Sequence, residues 1–183
     1  MPLSPQEREQ LHELAQSAIE AAVNGGPLPT VAEPAGILAE TRGCFVTLKN
    51  HGHLRGCIGT FRPADPLAVM LVHMARAAVL DDPRFFNNPV TAAELPDLTV
   101  EVSILSPLEP TDNPLSLQIG THGIYIVSGA RSGCFLPEVA TDLHWDAEQF
   151  LSECCARKAG LPPDAWADPD TQVFLFTSEK FSQ

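Results

Sequence analysis

Two adjacent stretches decide the fold: GCFVTLKN (43–50) and HLRGCIGTF (53–61), parted by His51 and Gly52. The first is rich in strand-forming residues. Asn50-His51-Gly52 is a turn signal, and the second stretch returns as the other arm of a hairpin. Period-two alternation places Arg55, Cys57 and Gly59 on one face of that arm, with Leu54, Gly56 and Ile58 on the other.

Downstream, Asp65-Pro66 is expected to cap a helix that sets Leu67, Met70, Leu71, Met74 and Ala78 on one side. Val69 and Val72 fall on other sides, which implies burial on more than one face, by the fold or by a partner. This helix must end before Pro83, in DDPRFF. Upstream, Ser4-Pro5-Gln6-Glu7 opens a helix over 4–24 with a capping box. Leu11, Leu14, Ala15, Ala18, Ile19 and Ala22 give it one apolar face, and Gly25-Gly26 stops it. Residues 26–34 form a proline-rich connector.

In LTVEVSIL (98–105), Val100, Val102 and Ile104 face one way and Glu101 and Ser103 the other. LSLQIG, IYIVS after a His122-Gly123 turn, and GCFL after a turn over 129–133 read as further strands. Asp146 caps a last helix with Phe150, Leu151, Cys154 and Cys155 inward and Gly160 as its stop. QVFLFTS is the final strand. GCFVTLKN…RGCIG and HGIYIVSG…SGCFL echo one another as strand–turn–strand units with Gly-Cys-apolar in the second strand, each followed by an Asp-capped helix. A degenerate duplication is the expectation, with halves at about 36–97 and 98–178.

Hydrophobic residues make up 44% of the 183 and charged residues 19%, a globular composition with material for a core. The formal net charge of -12 disfavours binding to a phosphate backbone. No apolar run approaches the ~20 residues of a membrane span, and the N-terminus lacks a basic-then-apolar signal pattern. Five cysteines without a C-x-x-C pair suit free thiols in a reducing compartment, so a cytoplasmic protein is expected.

LRGCIGTF, the helix running into DPRF, EVSILSPLEP, GTHGIYI, GCFLPEVA, WDAEQFL and KAGLPPDAW follow in order. Together they resemble the AMMECR family, also called protein A of the AmmeMemoRadiSam system, over roughly residues 43–176. The resemblance implies a single α+β domain with an antiparallel, barrel-like sheet, flanking helices and a pseudo-duplicated layout. It implies no known reaction. It does imply a link to a MEMO-type protein and a radical S-adenosylmethionine protein. Where the family usually has Gln in an L-P-Q-V-A segment, this chain has Glu138, which would alter charge preference if that side chain met a ligand.

The candidate site centres on the motif. Same-face neighbours lie roughly 6.5–7 Å apart along a strand, so Arg55 could favour a Cys57 thiolate or bind a substrate anion as a fork. Gly56 and Gly59 would permit close approach of a ligand or of a neighbouring element. Equally, Cys57 could be a small buried residue and Arg55 the ion-pair partner of Glu101. Glu101 and Ser103 either line a pocket with the motif or face water. His122 is the candidate base, or simply a polar turn residue. Arg84 is expected to fix loop backbone, with Phe85 in the core. Cys57, His122 and Glu138 could be assembled as metal ligands by residue type alone, but no spacing supports it, and neither metal nor cofactor is expected. Two functions follow: an accessory or enzyme component with a binding cleft at LRGCIG, catalysis resting on Cys57 with His122 or Glu101, or a non-catalytic adaptor that binds a partner protein.

Overall fold

In the computed structural model, which describes residues 2–182, the chain forms two compact units. The first runs to Leu105 and regains the C-terminal residues from Glu179; the second is Ser106–Ser178.

In the first unit, α1 (Pro5–Asn24) starts on Ser4, whose hydroxyl accepts the Glu7 N–H while the Glu7 carboxylate takes the Ser4 N–H. Strands β1 (Cys44–Asn50) and β2 (His53–Thr60) form the expected hairpin. His51 (φ 47°) and Gly52 (φ 80°) are both left-handed, the twist that a tight two-residue connection between antiparallel strands requires. Helix α2 (Leu67–Leu80) follows, but Pro66 occupies its cap and no side chain caps it, so Asp65 does not play the role expected of it. Its buried residues include Leu67, Leu71, Val72, Ala75, Ala78 and Val79, more than one face, as Val72 foretold; Val69 stays partly exposed. Strand β3 (Leu98–Leu105) pairs antiparallel with β1. Val46, Leu48, Val100 and Val102 pack with Leu11, Ala15, Leu67 and Leu71 in one core.

In the second unit, β4 (Glu109–Thr111) pairs with β7 (Gln172–Phe176), which pairs with β5 (Gly123–Ser128), itself in a hairpin with β6 (Arg131–Phe135). Two helices, α3 (Pro137–Asp142) and α4 (Ala147–Cys154), lie between β6 and β7, and a π-helical turn over Cys155–Ala159 prolongs α4 to Gly160. Three strand assignments move: QVFLFTS is not the final strand but ends as β7 at Phe176, and a further strand covers Ser178–Ser182. The β5–β6 turn is only Gly129-Ala130, because Arg131 already pairs with Ser128, and LSLQIG is the end of a 3₁₀ helix followed by a turn rather than a strand. Pro114 starts that helix without the N–H that a sheet ladder needs.

The α+β class holds, whereas the barrel does not. The described residues form two four-stranded antiparallel sheets, ordered β2-β1-β3-β8 and β6-β5-β7-β4, where β8 is Ser178–Ser182. Each keeps two edge strands, so neither closes on itself. Strand β3 belongs to the first compact unit, where it is hydrogen-bonded to β1.

The two sheets share one topology. A central strand turns into an edge strand, helix follows, and a third strand pairs on the other side of the centre. A glycine in each edge strand lies under the end of the following helical segment. A Cβ on Gly56 would sit 2.0 Å from the Ala78 carbonyl oxygen, and one on Gly133 2.5 Å from the Ala159 nitrogen. The fourth strands are exchanged: β4 follows β3 in sequence but joins the second sheet, and β8 follows β7 but joins the first.

Among the described residues no helix is long and apolar enough to cross a membrane.

Candidate functional site

The motif strand β2 is an edge of the first sheet, so alternate N–H and C=O groups face outward and need partners. At Cys57 the loop after α2 supplies them. The Cys57 N–H donates to Asp82 Oδ2 at 2.9 Å, and Arg84 Nη2 donates to the Cys57 carbonyl at 3.2 Å. Arg84 also grips Asp82 in a fork, Nε to Oδ1 at 2.9 Å and Nη2 to Oδ2 at 2.6 Å. Asp82 and Arg84 thus take the place of a neighbouring strand for one residue. Asp82 is 2% exposed, and hydrogen bonds from Arg84 hold its carboxyl down at about 2 against the upward push of burial. Asp82 Oδ1 also caps the short 3₁₀ turn Pro83–Phe85. The turn is structural, as DDPRFF suggested, but Phe85 is half-buried and stacks beneath the guanidinium groups of Arg84 and Arg55.

Arg55 is 9% exposed. The register of β2 on β1 slips here: Leu48 pairs with Gly56 and Lys49 with Leu54, so Arg55 is an extra, bulged residue and the strict alternation expected of it fails. Its Nε and Nη2 bond the two oxygens of Glu94 at 2.7 and 3.1 Å, and Nη1 and Nη2 reach the carbonyls of Asn88 and Pro89, each at 3.1 Å. Glu94 is held down at about 2, chiefly by these bonds from Arg55. The partner is therefore Glu94 rather than Glu101, and Arg55 is an anchor for the segment 88–94. Glu101 pairs instead with Lys49, at 2.6 Å.

The remaining motif residues sort by face. Thr47 lies between Cys57 on β2 and Glu101 on β3; Phe45 lies between Gly59 and Ser103. These residues share the sheet face opposite Val46 and Leu48, which face the core. The face is half-buried rather than freely solvated, with Ser103 buried outright. Thr47 Oγ1 donates to Cys57 Sγ at 3.1 Å. The room that the two glycines leave is taken by the chain itself: the Ala78 carbonyl fills it at Gly56, and the Phe45 ring lies 2.2 Å from a Cβ built on Gly59. What the structure brings together is a half-buried thiol, the Thr47 hydroxyl, the Lys49–Glu101 pair and a 53% exposed Arg84 side chain.

His122 and Glu138 belong to the second unit. His122 Nδ1 accepts the Gln118 N–H at 3.0 Å, and the ring lines a cleft of about 280 Å³ with Glu109, Thr111, Leu175, Phe176 and Thr177. Glu138 is a half-exposed residue in the first turn of α3. Among the described residues no group of three or more His, Cys, Asp or Glu is placed to hold a metal ion.

The site residues that sequence reasoning missed are Asp82, Thr47 and Lys49. Asp82 carried a signal: an edge strand needs side-chain partners, and D-P-R returns to it from the end of α2. Thr47 and Lys49 become visible only with the three-strand register.

The AMMECR1 family profile matches residues 12–181. The chain belongs to the AMMECR1 family. A protein of Methanothermobacter thermautotrophicus is 41% identical over 189 residues, spanning 100% of this chain and 97% of that protein. One of Thermococcus onnurineus is 43% identical, spanning 96% and 89%. The crystal structure of the uncharacterized protein PH0010 from Pyrococcus horikoshii superposes with a TM-score of 0.82 at 39% identity, covering 96% of this chain and 90% of that one. The relatives carry no named function, so the AMMECR1 fold is shared with proteins whose names state no reaction.

Proposed function

We propose that this AMMECR1 protein is an accessory or enzyme component of the cytosol whose working surface is the sheet face around Cys57. One observation carries the reading: both backbone groups of Cys57 are clamped by the Asp82–Arg84 pair while its thiol stays half-buried, on the hydroxyl of Thr47. The remaining capacity of the Arg84 guanidinium and the Lys49 ammonium suits this surface to an anionic group on a protein or small molecule. Cys57 then contacts that group or attacks it. The ligand-binding part expected of Arg55 passes to Arg84, because the Arg55 fork is spent on Glu94. A MEMO-type and a radical S-adenosylmethionine protein are the proposed partners, on the strength of the AMMECR resemblance. A purely adaptor role uses the same surface without bond making.

Alkylation of the native protein tests this. Burial pushes the Cys44 thiol up to about 12 and the Cys134 thiol up to about 11, and raises Cys154 and Cys155 as well. Cys57 is expected to label first by peptide mass mapping between pH 7 and 8. Labelling no faster than Cys44 overturns the working-surface reading. Labelling that leaves capture of the MEMO-type protein intact overturns its part in partner binding.

A further inference from the structure

The cleft around His122 has a chemistry of its own, independent of the Cys57 surface. Because Gln118 directs an N–H at Nδ1, that nitrogen presents a lone pair, and the neutral ring carries its hydrogen on Nε2. Nε2 has no partner among the described residues. A nitrogen that bears the proton cannot take one, so His122 offers the cleft a donor rather than the base its residue type suggests.

Glu109, on β4, lines the same cleft, and its carboxylate takes no hydrogen bond or ion pair among the described residues. The Thr111 hydroxyl accepts the Asn113 N–H at 3.1 Å, which leaves its own O–H to donate. Leu175 and Phe176 give the cleft an apolar part. A free anion would meet the charge of Glu109, and an ammonium would leave the His122 donor unused. A group with an acceptor oxygen beside an N–H donor satisfies both.

We propose that this cleft binds a carboxamide, its carbonyl on His122 Nε2–H and its N–H on Glu109, with an aliphatic body against Leu175 and Phe176. A volume of about 280 Å³ suits a group of amino-acid size. An amidated chain end, an Asn or Gln side chain and a free amide metabolite share this chemistry.

The matched probes 4-methylpentanamide and 4-methylpentanoate differ only in amide against carboxylate. Long-range ¹H–¹⁵N spectra of the full chain should show the Nε2–H tautomer for His122 and a saturable shift with the amide. The acid should bind at least about fivefold more weakly, near 1 kcal/mol. Glu109→Gln should narrow that gap, and His122→Phe should abolish the amide's binding; if His122→Phe does not fold, Glu109→Gln decides alone. The proposal is overturned by an Nδ1–H tautomer, by an acid that binds as well as the amide, by the absence of saturation with either probe, or by a Glu109→Gln chain with the native preference.

Discussion

Asp82 accepts the Cys57 backbone N–H at 2.9 Å while the same oxygen accepts from Arg84 at 2.6 Å, so one carboxylate ties the loop after α2 to the sheet edge. Its removal leaves an amide without a partner and a guanidinium without its counter-charge. Asp82→Ala should therefore destabilise the chain by about 3 kcal/mol, and Arg84→Ala, whose side chain is largely exposed, by about 1 kcal/mol. Urea unfolding should show this order; equal losses would mean that Asp82 acts only through Arg84.

Acid should unpick the first unit in a defined window. Asp82 and Glu94 both have folded values of about 2, below the ordinary carboxylate range. Their pairs thus contribute fully above roughly pH 4, and the contribution is lost as pH falls toward 2. For nearly inaccessible Asp82 this is on the order of 2 kcal/mol. The urea midpoint should be flat from pH 7 to 5 and fall steeply below 4, and Asp82→Asn should flatten that fall.

The close approach at Gly56 leaves no space for a methyl group. A Cβ 2.0 Å from the Ala78 carbonyl oxygen must push β2 and the end of α2 apart, and Gly56→Ala should cost about 3 kcal/mol or prevent folding. Gly133→Ala, with 2.5 Å to the Ala159 nitrogen, should cost a similar amount. A thermal melt within about 1 °C of the native chain for either variant would show that strand and helix can separate freely.

Thr47→Val keeps the shape beside Cys57 and deletes the hydroxyl that bonds its sulfur at 3.1 Å. Losing a donor to negative charge on Sγ should slow alkylation of Cys57 several-fold at pH 7.5 with little change in melting temperature. An unchanged rate would show that the hydroxyl serves packing alone.

Local signals made much of the fold legible. The Ser4 capping box, the His51-Gly52 turn and the alternation of Val100, Val102 and Ile104 all concern residues within a few positions of one another, and all three hold. The long-range choices did not follow. Glu94 rather than Glu101 receives Arg55 because a one-residue bulge takes Arg55 out of the alternation, and no spacing announces a bulge. Strand β4 carries Pro110 in a three-residue edge, too short and too unlike a ladder residue to read as a strand. At the site, the Cys57 motif was visible as a pattern, while its clamp was hidden in what looked like an ordinary helix-ending turn. His122 is a candidate by residue type, and only the Gln118 N–H fixes which of its nitrogens faces outward with a proton.

The exchange of fourth strands has a consequence for the order of assembly during synthesis. The outer edge of β3 is covered by β8, which leaves the ribosome only after the whole of the second unit. At roughly 5–20 residues per second, the nascent first sheet carries an unguarded edge for seconds. The same late strand then locks to the start of the chain, Glu179 taking the Leu3 N–H at 2.8 Å and pairing with Arg8 at 2.6 Å. The first unit is thus completed only after the second has been synthesised, and a nascent chain stalled before Ser178 presents an open strand to any passing partner.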